Sequence, residues 1–363
     1  MTTLASEGMR MLARRIRIAS TGRRRYGGDW KHICGKIIED CYDPKGHYNV
    51  SDGHFTQFYT RDFGMIAESL VNLGHAKRVQ KTLEYALSRF STQGKVTTQI
   101  APSGAALDSF GPAADSLPML IHGLMVSDQK ELLEAYRPFL EAEVQRYFEM
   151  FFSKKTGVKR NTYVSSIRDQ YTRDAACYSV SMMGMLSRDL TLLGWRNPLR
   201  GVDFPALLMK QYWMGKAFSE DLTHKEPSGD ANTFPFWCGV ITDPKIRRTA
   251  LASVHAMGLD DPWPLKYNVD DPEREFWWAR IISPNYEGNT IWMHLGLCYM
   301  TVLAKTDTSL FRRHLDTYIS LVKKHKNFLE VYTPDGRPYQ TLLYTTDESM
   351  SWCAILLDLA RKA

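Results

Sequence analysis

Apolar residues return every three or four positions through most of this chain, and that period leaves few architectures open. RDFGMIAESLVNLG (61–74) and AKRVQKTLEYALSRF (76–90) carry it clearly, and Gly74 stands where the first helix would end. It recurs in DSLPMLIHGLMV (115–126), KELLEAYRPFLEAEVQRYFEMFF (130–152), RDAACYSVSMMGMLSRDLTLLG (173–194) and DFPALLMKQYWMGKAFS (203–219). It recurs again in PKIRRTALASVHAMG (244–258), NTIWMHLGLCYMTVLA (289–304), SLFRRHLDTYISLVKKH (309–325) and DESMSWCAILLDLARKA (347–363), with a further helix near 30–40. Strand-like alternation is rare, and KVTTQIA (95–101) is its best short instance. No low-complexity linker divides the body. About eleven helices at this spacing suit one all-α domain of helical hairpins.

The net charge of +6 is local. Residues 1–28 hold seven arginines and a single acid, Glu7, and the remainder of the chain is balanced. Such a body is not a nucleic-acid platform. The expected division is a basic N-terminal arm (1–28) and one helical domain (29–363). The segment MRMLARRIRIAS reads either as a solvated arm or as a basic amphipathic helix making weak contact with an acidic surface. The six cysteines lack CxxC spacing, which argues for reduced thiols. There is no apolar run of membrane-spanning length and no secretory h-region, so the expected location is cytoplasmic.

Chemistry concentrates in the loops and near the end of the chain. Residues 219–239 and 259–289 are rich in Pro, Gly, Asp and aromatics, and five of the nine tryptophans (Trp237, Trp263, Trp277, Trp278, Trp292) fall between 237 and 292. Such rings either stack on the apolar faces of sugars or cap the core. Glu330 lies between apolar residues just before a Thr-Pro-Asp-Gly turn. A carboxylate held there is rigid and partly desolvated, as a general base must be.

The ordered set FYTRDFGM (58–65), SGDANTFPFW (228–237), YEGNTIW (286–292), FLEVYTPDG (328–336) and MSW (350–352) resembles the six-hairpin, (α/α)6-barrel glycosidases. Among these it is most similar to glycoside hydrolase family 63 and the mannosylglycerate and glucosylglycerate hydrolases. The resemblance implies a helical barrel with long rim loops. It also implies an inverting hydrolase of a small glycoside or oligosaccharide that needs no cofactor or metal. It assigns sugar binding to Tyr59, Arg61 and Asp62, and to Tyr286, Gly288, Trp292 and Trp352. It assigns the general acid to Asp230 and the base to Glu330. Phe234, Phe236 and Trp237 are the aromatic neighbours that would raise the Asp230 pKa. Asp230 follows Gly229 directly, one residue earlier than in the family element, and Glu287 stands where the family has arginine. Glu287 is therefore an alternative carboxylate.

In SSIRDQYTRDAACYS (165–179), Arg168, Asp169, Arg173 and Asp174 are either sugar ligands from the same rim or paired charges at a helix start. Asp52 and His54 are candidates for the site mouth. P-loop, GxGxxG, HExxH and Gly-x-Ser-x-Gly motifs are absent. Three functions stay open: an inverting hydrolase, another carbohydrate enzyme on the same barrel (phosphorylase, epimerase or lyase), and a non-catalytic carbohydrate-binding or scaffold protein.

Overall fold

Helices of two kinds build the molecule, and their burial separates them into layers. Ala76–Gln93 (α4) and Thr308–His325 (α14) bury one stripe each: Val79, Leu83, Ala86, Leu87 and Phe90 in the first, Leu310, Phe311, Leu315, Tyr318 and Val322 in the second. They are surface helices with one apolar face. Ser116–Val126 (α5), Cys177–Leu192 (α8) and Met293–Leu303 (α13) are buried nearly all round and belong inside. The caps follow local chemistry. Asp307 accepts from the Leu310 N–H at 2.9 Å to start α14, and Gly94 takes φ +70° to end α4.

The computed structural model describes residues 2–270 and 274–363. The other helices are α1 (Thr2–Thr21), α2 (Trp30–Asp40), α3 (Thr60–Asn72), α6 (Lys130–Ala135), α7 (Arg137–Phe151), α9 (Phe204–Gln211), α10 (Phe234–Trp237), α11 (Pro244–Ala256), α12 (Trp277–Ile282) and α15 (Cys353–Lys362). The helix expected over 130–152 is two, because Pro138 stands in the first turn of α7 and a new helix starts there. The helix expected over 203–219 stops at Gln211, and Trp213 bridges back to Phe218. Strands are two residues long and form small sheets, one of them joining Phe58–Tyr59, Gln99–Ile100 and Ala106–Leu107.

Helix α3 packs on α5, α5 on α8, α8 on α10, α10 on α13, α13 on α15, and α15 back on α3. These contacts close a ring of six. Helices α4, α9, α14 and α2 pack outside α3, α8, α13 and α15. Close approach within the ring needs small residues. A Cβ on Gly64 of α3 would meet the Met119 Cβ of α5 at 2.7 Å. The segments that lead into α3, α8, α13 and α15 line one cavity at a common face of the ring.

The N-terminal segment is not a solvated arm. Helix α1 lies on this face, and Arg10, Arg14, Arg15 and Arg17 each reach the body. Arg14 is buried, with its Nε 3.4 Å from Asp347 and its Nη2 3.4 Å from Glu348. Arg17 pairs with Glu348 at 2.9 Å, and Arg24 pairs with Asp40 and Asp52. Three of the seven arginines of residues 1–28, Arg14, Arg17 and Arg24, thus meet carboxylates of the body. Among the described residues, no helix is long and apolar enough to cross a membrane, and all six cysteines are free and buried.

Candidate active site

Glu330 sits immediately before the strand Val331–Tyr332, which pairs antiparallel with Ile291–Trp292. The pairing sets Trp292 opposite Val331 and seats Glu330 in a cavity of about 480 Å³. The carboxylate is 1% exposed. Its Oε2 accepts from the Tyr344 hydroxyl at 2.6 Å and the Asp347 N–H at 2.8 Å, and its Oε1 accepts from the Tyr286 hydroxyl. Burial pushes this carboxyl above its usual range, with Asp347 adding to the rise and His54 opposing it.

Asp169 and Glu287 line the same cavity. The Glu287 oxygens accept the backbone N–H groups of Asp169 at 3.0 Å and Gln170 at 2.8 Å. Glu275 accepts the Glu287 N–H at 2.8 Å and the Asn285 N–H at 2.8 Å, which anchors the turn from behind. Burial, and then the neighbouring charge of Asp169, push the Glu287 carboxyl up to about 8. Asp169 takes Arg61 Nη2 at 3.1 Å and the Ser165 hydroxyl at 2.6 Å.

The first turn of α3 supplies Arg61 and Asp62. Arg61 reaches Asp169, Asp115 at 3.4 Å and the Ser166 carbonyl, so it ties α3 to the loop 165–170 and to the start of α5. Asp62 accepts from Trp352 Nε1 at 2.9 Å, and burial lifts its carboxyl to about 6 against the pull of Arg61. His294, in the first turn of α13, packs between the rings of Trp292 (5.1 Å) and Trp352 (4.6 Å). Burial holds its imidazole well below the usual range, so it is neutral, and Nδ1 has no hydrogen-bond partner among the described residues.

The cavity thus gathers Tyr59, Arg61, Asp62, Asp169, Tyr286, Glu287, Trp292, Glu330 and Trp352 from the residues singled out in the sequence. Others lie elsewhere. Asp230 is fully buried off the cavity, where its Oδ2 meets Arg173 Nη1 at 2.5 Å and its Oδ1 accepts from Ser228 at 2.7 Å. Arg168 is also fully buried, 2.8 Å from Glu220 and 3.5 Å above the Tyr171 ring. Trp237 packs its edge near His122 and Phe234. Gly288 serves the loop backbone, its carbonyl accepting the Asn268 N–H at 3.2 Å. Asp174 pairs with Arg160, Asp52 with Arg24, and His54 lies 3.3 Å from Asp347. Part of the 259–289 loop, residues 271–273, falls outside the described residues. His294, Tyr344 and Gln170 line the cavity without having been marked by any motif.

No known family's sequence profile matches the chain, and no curated protein matches it in sequence. Solved structures do match in fold. A wild-type glycosidase superposes with a TM-score of 0.63 at 15% identity, covering 99% of this chain and 98% of that one. The GH63 mannosylglycerate hydrolase from Thermus thermophilus, in complex with Tris and D-glycerate, gives 0.63 at 12% identity over 92% of this chain and 100% of that one. A rhamnosidase from Klebsiella oxytoca with rhamnose bound gives 0.63 at 10% identity over 94% of this chain and 65% of that one. The fold of this chain is that of these glycosidases.

Proposed function

We propose that the protein is an inverting glycoside hydrolase on an (α/α)6 barrel, with Glu330 as general base and the Asp169–Glu287 pair, rather than Asp230, as the source of the acid proton. The observation that carries this reading is the meeting of Glu330, Asp169, Glu287 and Asp62 in one cavity that Asp230 does not enter. A carboxylate has about four lone-pair directions. Two hydroxyls and one N–H occupy three on Glu330, which leaves one on Oε1 for a water. Glu330 takes a proton from that water as its oxygen attacks the anomeric carbon. The bond to the leaving oxygen breaks, and that oxygen takes a proton from the opposite pair. Burial, and then the charge of Asp169, hold the Glu287 carboxyl up to about 8, so Glu287 keeps its proton at neutral pH. Asp62, on the cavity lining, is placed to meet sugar hydroxyls.

A phosphorylase would need a basic anion pocket. Arg61, the one arginine or lysine among the described cavity residues, is already committed to Asp169 and Asp115, which favours water as the nucleophile. The test is a hydrolysis screen on α-glucosides, α-mannosides, α-rhamnosides and glycerate glycosides, with NMR of the first-formed anomer. A first product of inverted configuration supports the reading. A retained configuration rejects inversion, and no turnover on any glycoside rejects the hydrolase.

A further inference from the structure

One wall of the cavity differs in character from the carboxylate end. Met11 of α1, Phe55, Phe110, and Trp278 and Ile282 of α12 line it. Phe110 and Trp278 stack on each other at 5.7 Å with 15° between their planes, which fixes both rings at the cavity edge. The hydroxyls on this wall are already engaged inward. Ser109 accepts from the Gln99 amide at 2.9 Å, and Ser283 donates to the Ala279 carbonyl at 3.4 Å. The wall continues to the surface. Ile282 is 39% exposed, and the neighbouring Ile281 and Trp277 are 68% and 75% exposed. Thr341 bonds the Ile282 carbonyl at 2.8 Å, which brings up Leu342 at 85% exposure, and Arg15 of α1 holds the Thr341 carbonyl at 3.2 Å.

A second sugar on this wall would stack a C–H face on the rings, but its edge hydroxyls would find few donors or acceptors among the aliphatic neighbours, at the cost of their lost hydration. An apolar group would bury its surface there without that cost. We propose that this wall is the aglycone subsite and that the substrate is a glycoside of a large apolar aryl or alkyl group rather than an oligosaccharide. This rests on the glycosidase reading and names the class of leaving group that the same cavity takes.

Matched methyl and octyl glycosides of glucose, mannose and rhamnose test it. Hydrolysis is followed with the 363-residue chain, and binding is followed by calorimetry with Glu330→Gln. Octyl should exceed methyl by about tenfold or more, since a single methylene in an apolar pocket already discriminates on that scale. Trp278→Ala should draw the ratio toward one, mainly through KM. A ratio near one in both assays overturns the proposal. A Trp278-dependent octyl preference in binding with no hydrolysis upholds the wall and rejects the hydrolase instead. Sedimentation with phosphatidylcholine vesicles together with a ratio near one would assign the rim to a membrane surface and overturn the subsite.

Discussion

Asp347 donates its backbone N–H to Glu330 Oε2 at 2.8 Å and accepts the Glu330 N–H at 3.1 Å, so the two residues hold each other in register. The Asp347 side chain is fixed in turn by Ser51 at 2.5 Å, by the His54 N–H at 3.0 Å and by Arg14 of the N-terminal helix. These partners hold its carboxyl far below the usual range. Arg14 also donates to the Thr345 and Thr346 carbonyls at 3.1 Å. A segment more than 300 residues away thereby holds the 345–347 stretch that positions the proposed base. Arg14→Met should lower kcat by about tenfold and move the acidic limb of the pH–rate profile, with partial recovery in Arg14→Lys. An unchanged profile alongside a lowered melting temperature would make Arg14 purely structural.

Glu330→Gln keeps the shape of the side chain and its acceptor oxygen but cannot take a proton. Turnover should fall by about 10²–10⁴-fold with little change in circular dichroism. Activity within threefold of wild type would remove Glu330 from the mechanism.

The Asp230 assignment separates two kinds of buried carboxylate. Removing its charge leaves Arg173 buried against an amide, and breaking a buried pair costs about 3–5 kcal/mol. Asp230→Asn should therefore lower stability strongly in denaturant titrations while the folded fraction keeps its turnover. Asp169→Asn and Glu287→Gln should do the reverse and lose about 10²-fold or more in turnover. If Asp230→Asn is inactive and stable, the acid belongs at Asp230 after all.

This contrast also shows where the sequence is legible. Most helix positions follow from a local period, but α10 of the ring lies within the 219–239 stretch read as loop, because four residues are too few to show a period. Glu330 is readable because its apolar neighbours and the following turn are local too. Asp230 has the aromatic neighbours a raised carboxyl needs, but those rings look the same around an ion pair, and its partner Arg173 lies 57 residues earlier. Tyr344 and His294 reach the cavity through tertiary contacts that no spacing encodes. The arginines of α1 read as a charged arm because their carboxylates, Asp347 and Glu348, lie at the other end of the chain.

The pH dependence follows from Glu287. Its carboxyl is protonated below about 8 in the folded protein, so a reaction that needs that proton should fade as pH rises through about 8. Glu330 must be ionised, and its raised carboxyl puts the acidic limb above the ordinary carboxylate range. The kcat/KM profile should be a bell between these limits, and Glu287→Gln should abolish its alkaline side with the residual activity. Stability carries the same sign. An unfolded glutamate titrates at about 4.3, below the folded group. The stability held by the protonated form is fully present below that value and is lost as pH rises through about 8. Denaturant midpoints of the wild type should therefore decline from about pH 5 to about pH 9, and Glu287→Gln should flatten that decline. Parallel slopes for the two proteins would mean that Glu287 is ionised throughout, and the proposed proton source would have to be sought at Asp62.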